Sequence, residues 1–135
     1  MKTTKLAAVN RILSNVGQSP TTTLIGGNPL VEMAEVVLNE VNIAVQSEGW
    51  IFNTEYSYPF TPTTDNQIPI PQNVLALDSN GRTNSFLVIR DGKLYDKAAH
   101  SYSFTGVQQL DVVWLFDFEE LPEAAKEYIT IRSGN

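Results

Sequence analysis

The chain has 135 residues, a length that suggests one domain, with 42% hydrophobic residues, 18% charged residues and a formal net charge of -6. The lack of cysteine excludes a disulfide scaffold, a thiol nucleophile and cysteine-ligated metals, and no run of Lys or Arg gives the basic footprint of a nucleic-acid reader. No apolar stretch approaches the roughly 18 residues of a membrane span, and the run after Lys2 and Lys5 is broken by Asn10 and Arg11, unlike a secretory signal.

The first periodic segment runs from about Thr4 to Val16, where Leu6, Val9, Ile12, Leu13 and Val16 make one helical stripe. Gly17 suits a left-handed helix stop, and Pro20 prevents resumption. A second helix starts at Asn28, a good N-cap, with Pro29 at the first helical position. Leu30, Ala34, Val37, Val41 and Ala44 are expected to share its buried face, widened by Leu38 and Val45. The other face is expected to be solvated and acidic, through Glu32, Glu35, Glu40 and Glu48, with Asn39, Asn42 and Gln46 interspersed.

From Trp50 the period changes to two. Trp50, Phe52, Tyr56, Tyr58 and Phe60 share a parity and would point to one side of an extended chain, with Pro59 and Pro62 ending regular pairing. Pro69 and Pro71 frame an extended stretch suited to an edge, Val74–Leu77 reads as a short strand, and Ser79-Asn80-Gly81 as a turn. Asp91-Gly92 between Phe86–Arg90 and Lys93–Asp96 is the strongest hairpin signal. Val107–Phe116, apolar on both parities, predicts a central strand. A last helix follows, with Pro122 in its first turn, Glu119, Glu120 and Glu123 near its positive end, and Ala124, Ala125, Tyr128 and Ile129 continuing the pattern.

The expected fold is α+β: two N-terminal helices and a C-terminal helix packed together, with an antiparallel β-rich region between them. We expect one domain over 1–135, its helical part being 4–49 and 119–133 and its β-rich part 50–118.

Signs of catalysis are weak. His100 is the lone histidine; with Ser101 and Asp96 it suggests a triad, but no Gly-x-Ser-x-Gly elbow is present and a loop residue is the plainer reading. Gly26-Gly27 resembles a phosphate nest, yet the Walker spacing and its Lys are missing. Asp117, Glu119, Glu120 and Glu123 could serve glycoside hydrolysis, or simply suit a helix start. The Trp50–Phe60 aromatics could stack sugars, or form a buried sheet face. No cofactor or metal is implied, and the residues alone describe an acidic, non-enzymatic α+β protein.

Three stretches together resemble the tail tubular protein A family, the head-to-tail adaptors of short-tailed phages. They are Ala8-Val9-Asn10-Arg11-Ile12-Leu13 through Val16-Gly17-Gln18-Ser19-Pro20 to Leu24; Ser47-Glu48-Gly49-Trp50-Ile51-Phe52-Asn53 at a helix-to-strand switch; and Leu115-Phe116-Asp117-Phe118-Glu119-Glu120-Leu121-Pro122-Glu123 before Tyr128-Ile129. Their order and spacing cover nearly the whole chain. The resemblance implies a virion protein forming a homo-oligomeric ring, expected to be twelve-fold, between the portal protein and the tail tubular nozzle protein. Genome DNA would pass through without sequence-specific binding, and no membrane is involved.

Family members continue past the third motif with more helix that helps grip the portal, whereas this sequence stops at Asn135, as a short form or as part of a longer protein. On this reading Tyr128, Ile129, Ile131 and Arg132 are expected to face the portal, and the hairpin tip at Asp91 and Gly92 the nozzle. Glu32, Glu35, Glu40 and Glu48 would line the DNA channel as an acidic face. Competing readings are a tail-associated polysaccharide hydrolase and another head-completion or tail-terminator ring.

Overall fold

A computed structural model describes residues 3–78 and 86–134. The chain forms two compact units: a helical one, Met1–Glu48 with Phe116–Asn135, and a β-rich one, Gly49–Leu115. The predicted turn at Ser79-Asn80-Gly81 lies outside the described residues.

In the helical unit, α1 spans Lys5–Asn15 and α2 spans Pro29–Gln46. Thr4 caps α1, its hydroxyl accepting from the Ala7 N–H at 3.1 Å. At the other end Gly17 has φ +78°, and the N–H groups of Gly17 and Gln18 return to Ser14 O and Leu13 O at 3.0 and 2.8 Å. This pair of bonds satisfies carbonyls that a helix end otherwise orphans, and it needs the left-handed conformation that glycine adopts without strain. Asn28 caps α2 through Leu30 N at 3.0 Å, with Pro29 in the position where no N–H is required. α3 spans Glu123–Ser133 with Pro122 as its N-cap, while Glu119 and Glu120 belong to a separate 3-10 turn, Phe118–Glu120. The core joins Ala8, Val9, Ile12 and Leu13 of α1 to Val31, Ala34, Leu38 and Val45 of α2 and Ile129 of α3, with Phe118 and Leu121.

Two expectations about these helices are corrected. The buried stripe of α2 is Val31, Ala34, Leu38, Asn42, Val45 and Gln46, not the Leu30–Val37–Ala44 face. Leu30, Val37 and Ala44 are exposed. The amides of Asn42 and Gln46, expected on the polar face, are buried because they bond the backbone where the chain returns at Phe116. In α3 the buried residues are Lys126, Ile129, Thr130 and Ser133. Thr130 and Ser133 tolerate burial because each hydroxyl donates to the carbonyl four residues back, at 2.7 Å in both cases.

In the β-rich unit, β1 (Thr54–Phe60), β2 (Val74–Asp78) and β5 (Gln108–Trp114) form an antiparallel sheet of order β1-β5-β2. The strand that is apolar on both parities is therefore the central one, as its sequence predicts. β3 (Leu87–Arg90) and β4 (Lys93–Asp96) make the hairpin, with Asp91 at φ +54° and Gly92 at φ +71°, the two positive angles of the turn that matches strand twist. The Pro69–Pro71 stretch runs beside β4, where Leu94 N donates to Ile68 O and Ile70 N donates to Gly92 O, both at 2.9 Å. Phe60, Ile68, Ile70, Val74, Leu94, Phe104, Leu110 and Val112 form the core of this unit, bordered by Tyr58 and Trp114.

The Trp50–Phe60 row is not one extended face. Residues Ile51–Asn53 form a 3-10 turn, and the β1–β5 register shifts between Glu55 and Tyr58. Ser57 there has φ +55°, and its N–H donates to the Asp111 carboxylate at 3.0 Å. This bulge breaks the alternation, so Tyr56 is exposed while Tyr58 and Phe60 pack inward. Pro59 lies inside β1 rather than after it, which an edge strand permits.

Candidate interaction surfaces

Residues of the three motifs, with the helical amide facing one of them, act first as backbone clips. Asn10 of α1 holds Thr21 at two points, its Oδ1 accepting from Thr21 N at 2.7 Å and its Nδ2 donating to Thr21 O at 2.9 Å. Asn53 accepts from Trp50 N at 2.8 Å and donates to Trp114 O at 2.9 Å, fixing the 3-10 turn against the end of β5. Gln46 makes the third clip, accepting from Phe116 N and donating to Phe116 O, both at 2.9 Å. Each amide supplies hydrogen-bond partners to backbone at a loop, a turn or a strand end.

The third motif holds the chain's beginning. The Glu119 carboxylate accepts from Lys5 N at 2.9 Å, and Glu123 accepts from both the N–H and the hydroxyl of Thr3. Lys126, nearly fully buried, donates to Thr3 O at 3.1 Å and lies 3.7 Å from Glu123. The hydrogen bonds from Thr3 are the main reason the Glu123 carboxyl is held below its ordinary range, with Lys126 adding to the effect. These carboxylates thus tie residues 3–5 to the lead into α3. The triad suggestion dissolves similarly: Asp96 accepts from the N–H groups of Ala98 and Ala99, and His100 is an exposed turn residue at φ +53°. Among the described residues no group of three or more His, Asp or Glu is arranged to hold a metal.

Among its exposed polar residues the helical unit also presents apolar side chains. Ile12, Leu13, Val16, Leu30, Met33 and Val37 line an open groove of about 230 Å³ that also meets Gly134. Val36 and Ile43 add exposed apolar surface on α2. The four predicted channel carboxylates do not make one row. At about 100° per residue, Glu32 and Glu40 fall about 80° apart on the exposed side, while Glu35 lies about 60° beyond Glu32 toward the buried side. Glu35 pairs with Lys5 at 3.6 Å, and Glu48, past the end of α2, with Arg132 at 3.7 Å.

Of the residues expected to face the portal, Ile129 is wholly buried and serves the core, because the inward stripe of α3 runs through 126, 129, 130 and 133. Tyr128, Ile131 and Arg132 are exposed. Arg132 lies over the Tyr128 ring, 5.7 Å from its centre. Asp91 and Gly92 sit at the exposed hairpin tip, where the Asp91 carboxylate accepts from the Tyr102 hydroxyl at 3.1 Å. Loss of surrounding water and that bond raise the Tyr102 pKa.

The helical unit thus combines fixed backbone clips with exposed apolar area on α1 and α2. Residues 6–135 match the tail tubular protein family, and the chain belongs to it. It is a structural component of a phage tail, and among the described residues no helix is long and apolar enough to cross a membrane. The chain is 33% identical over 125 residues to Tail tubular protein A of Klebsiella phage KP34, an alignment covering 93% of this chain and 66% of that protein. It thus spans just under two thirds of the length of that relative.

Proposed function

We propose that the protein is a ring-forming adaptor that joins the portal to the tail nozzle and forms part of the DNA ejection channel, with twelve copies as the expected number. The family match along residues 6–135 carries this reading. The exposed apolar residues of α1 and α2 support it, since head-to-tail contacts repeated about an axis bury such surface and close into a ring. Tyr128, Ile131 and Arg132 are assigned to the portal side, and the Asp91–Gly92 tip to the nozzle side. DNA passes through the centre without sequence reading, consistent with a chain of net charge -6 that lacks a basic run. Native mass spectrometry of the full-length gene product, alone and with its phage's portal, tests the proposal. A closed ring that stacks on the portal is expected, and a persistent monomer that ignores the portal would overturn it.

A further inference from the structure

The β3–β4 hairpin carries a second surface, distinct from its tip. Its register pairs Val88 with Tyr95, Ile89 with Leu94 and Arg90 with Lys93. Alternation therefore puts Val88, Arg90, Lys93 and Tyr95 on one face, opposite the face through which Leu94 enters the core. Arg90 lies 4.3 Å from the Tyr95 ring centre, Tyr95 meets Tyr102 in a tilted contact with ring centres 4.7 Å apart, and Lys93 lies 4.7 Å from the Tyr102 ring centre. Two long cations are thus each held over a different ring of one aromatic pair, which reduces the freedom they would lose on binding. Neither has a carboxylate in an ion pair among the described residues. The nearby acids are engaged elsewhere, Asp91 with Tyr102 and Asp96 with the Ala98 and Ala99 amides.

The chain also carries a matching surface. On α2, Glu32, Val36, Glu40 and Ile43 fall within about 80° of one another, on the side away from the core. All four are exposed, and no ion pair among the described residues engages Glu32 or Glu40. The stripe is acid, apolar, acid, apolar along the helix, and Glu32 and Glu40 are about 12 Å apart along its axis. Planar guanidinium and ammonium groups on an aromatic base suit such a stripe, the cations meeting carboxylates and the rings meeting Val36 and Ile43.

We propose that the cationic–aromatic face of the hairpin on one copy docks on the Glu32–Val36–Glu40–Ile43 stripe of α2 on the next copy. The two surfaces differ, so the contact is head-to-tail and propagates around an axis. DNA is the poorer occupant: two cations neutralise few phosphates, and the rest of the chain is acidic. The inference rests on the ring reading above and names its subunit contact.

The test is a charge swap in the full-length protein, read by sedimentation velocity and native mass. Arg90→Glu with Lys93→Glu, and separately Glu32→Lys with Glu40→Lys, should each weaken ring assembly by about tenfold or more, while the combined variant should recover to within about threefold of wild type. Urea unfolding of each variant confirms that it is folded. Rings that ignore the reversals, or a folded combined variant that fails to recover, overturn the contact while leaving the ring. Unchanged rings with lost retardation of duplex DNA would assign the face to DNA and also overturn it. A wild-type protein that stays monomeric overturns the ring itself, and with it this contact.

Discussion

Replacing Gln46 with Ala should destabilise the helical unit far more than loss of one surface amide. Gln46 is fully buried, and it satisfies both backbone groups of Phe116 at 2.9 Å and bonds Asn42 Oδ1 at 2.7 Å. Among the described residues a long contact from Asn42 Nδ2, at 3.5 Å, remains to Phe116 O after truncation. Two backbone groups left without good partners at about 1–3 kcal/mol each give roughly 2–6 kcal/mol in total. For a chain of this size that loss lowers the melting temperature by on the order of 10 °C. Gln46→Glu should also destabilise, since its second oxygen would face Phe116 O where the amide now donates. Urea unfolding followed by circular dichroism measures both variants. A loss under about 0.5 kcal/mol for Gln46→Ala, the range of ordinary surface substitutions, would refute the clip.

The remaining predictions separate core, turn, clamp and surface. Ile129→Ala should cost about 3 kcal/mol in unfolding free energy, because it empties a site with no exposure. Ile131→Asp should leave the unfolding midpoint nearly unchanged yet weaken portal binding in a pull-down; unchanged binding would remove Ile131 from that interface. Gly92→Ala should cost about 1 kcal/mol, since the left-handed conformation at φ +71° strains a side chain even where space is open. Glu123 has its carboxyl pKa lowered in the folded chain, so its contribution is present above the ordinary carboxylate pKa and is lost as pH falls through the folded value. Glu123→Gln should therefore lower the unfolding midpoint at neutral pH, with the gap to wild type closing on acidification; a gap that persists unchanged in acid would remove the Thr3–Glu123 clamp from the account.

Local chemistry made some elements readable from the sequence. Asp91-Gly92, Asn28-Pro29 and Gly17 each demand one backbone geometry, and each is found with it. The central place of β5 was legible because apolar residues on both parities have no solvated side. The buried face of α2 was misjudged because periodicity weighs apolar residues and overlooks amides. Asn42 and Gln46, four residues apart, are in fact the side chains that receive the returning chain at Phe116. Their signal was an i, i+4 amide pair beside Leu38 and Val45. The bulge at Ser57 left no such trace, since serine seldom advertises a positive φ. Arg90 and Lys93 of the hairpin were individually visible, but their placement over Tyr95 and Tyr102 depends on a ring pair seven residues apart, brought together only by the fold.

The most direct test of the adaptor account is imaging of the intact phage particle with symmetry resolved at the head–tail junction. The account predicts density for this chain as a closed ring between portal and nozzle, with α3 toward the portal and the hairpin tip toward the nozzle. Density for this chain elsewhere in the tail, or in no closed ring, would contradict it.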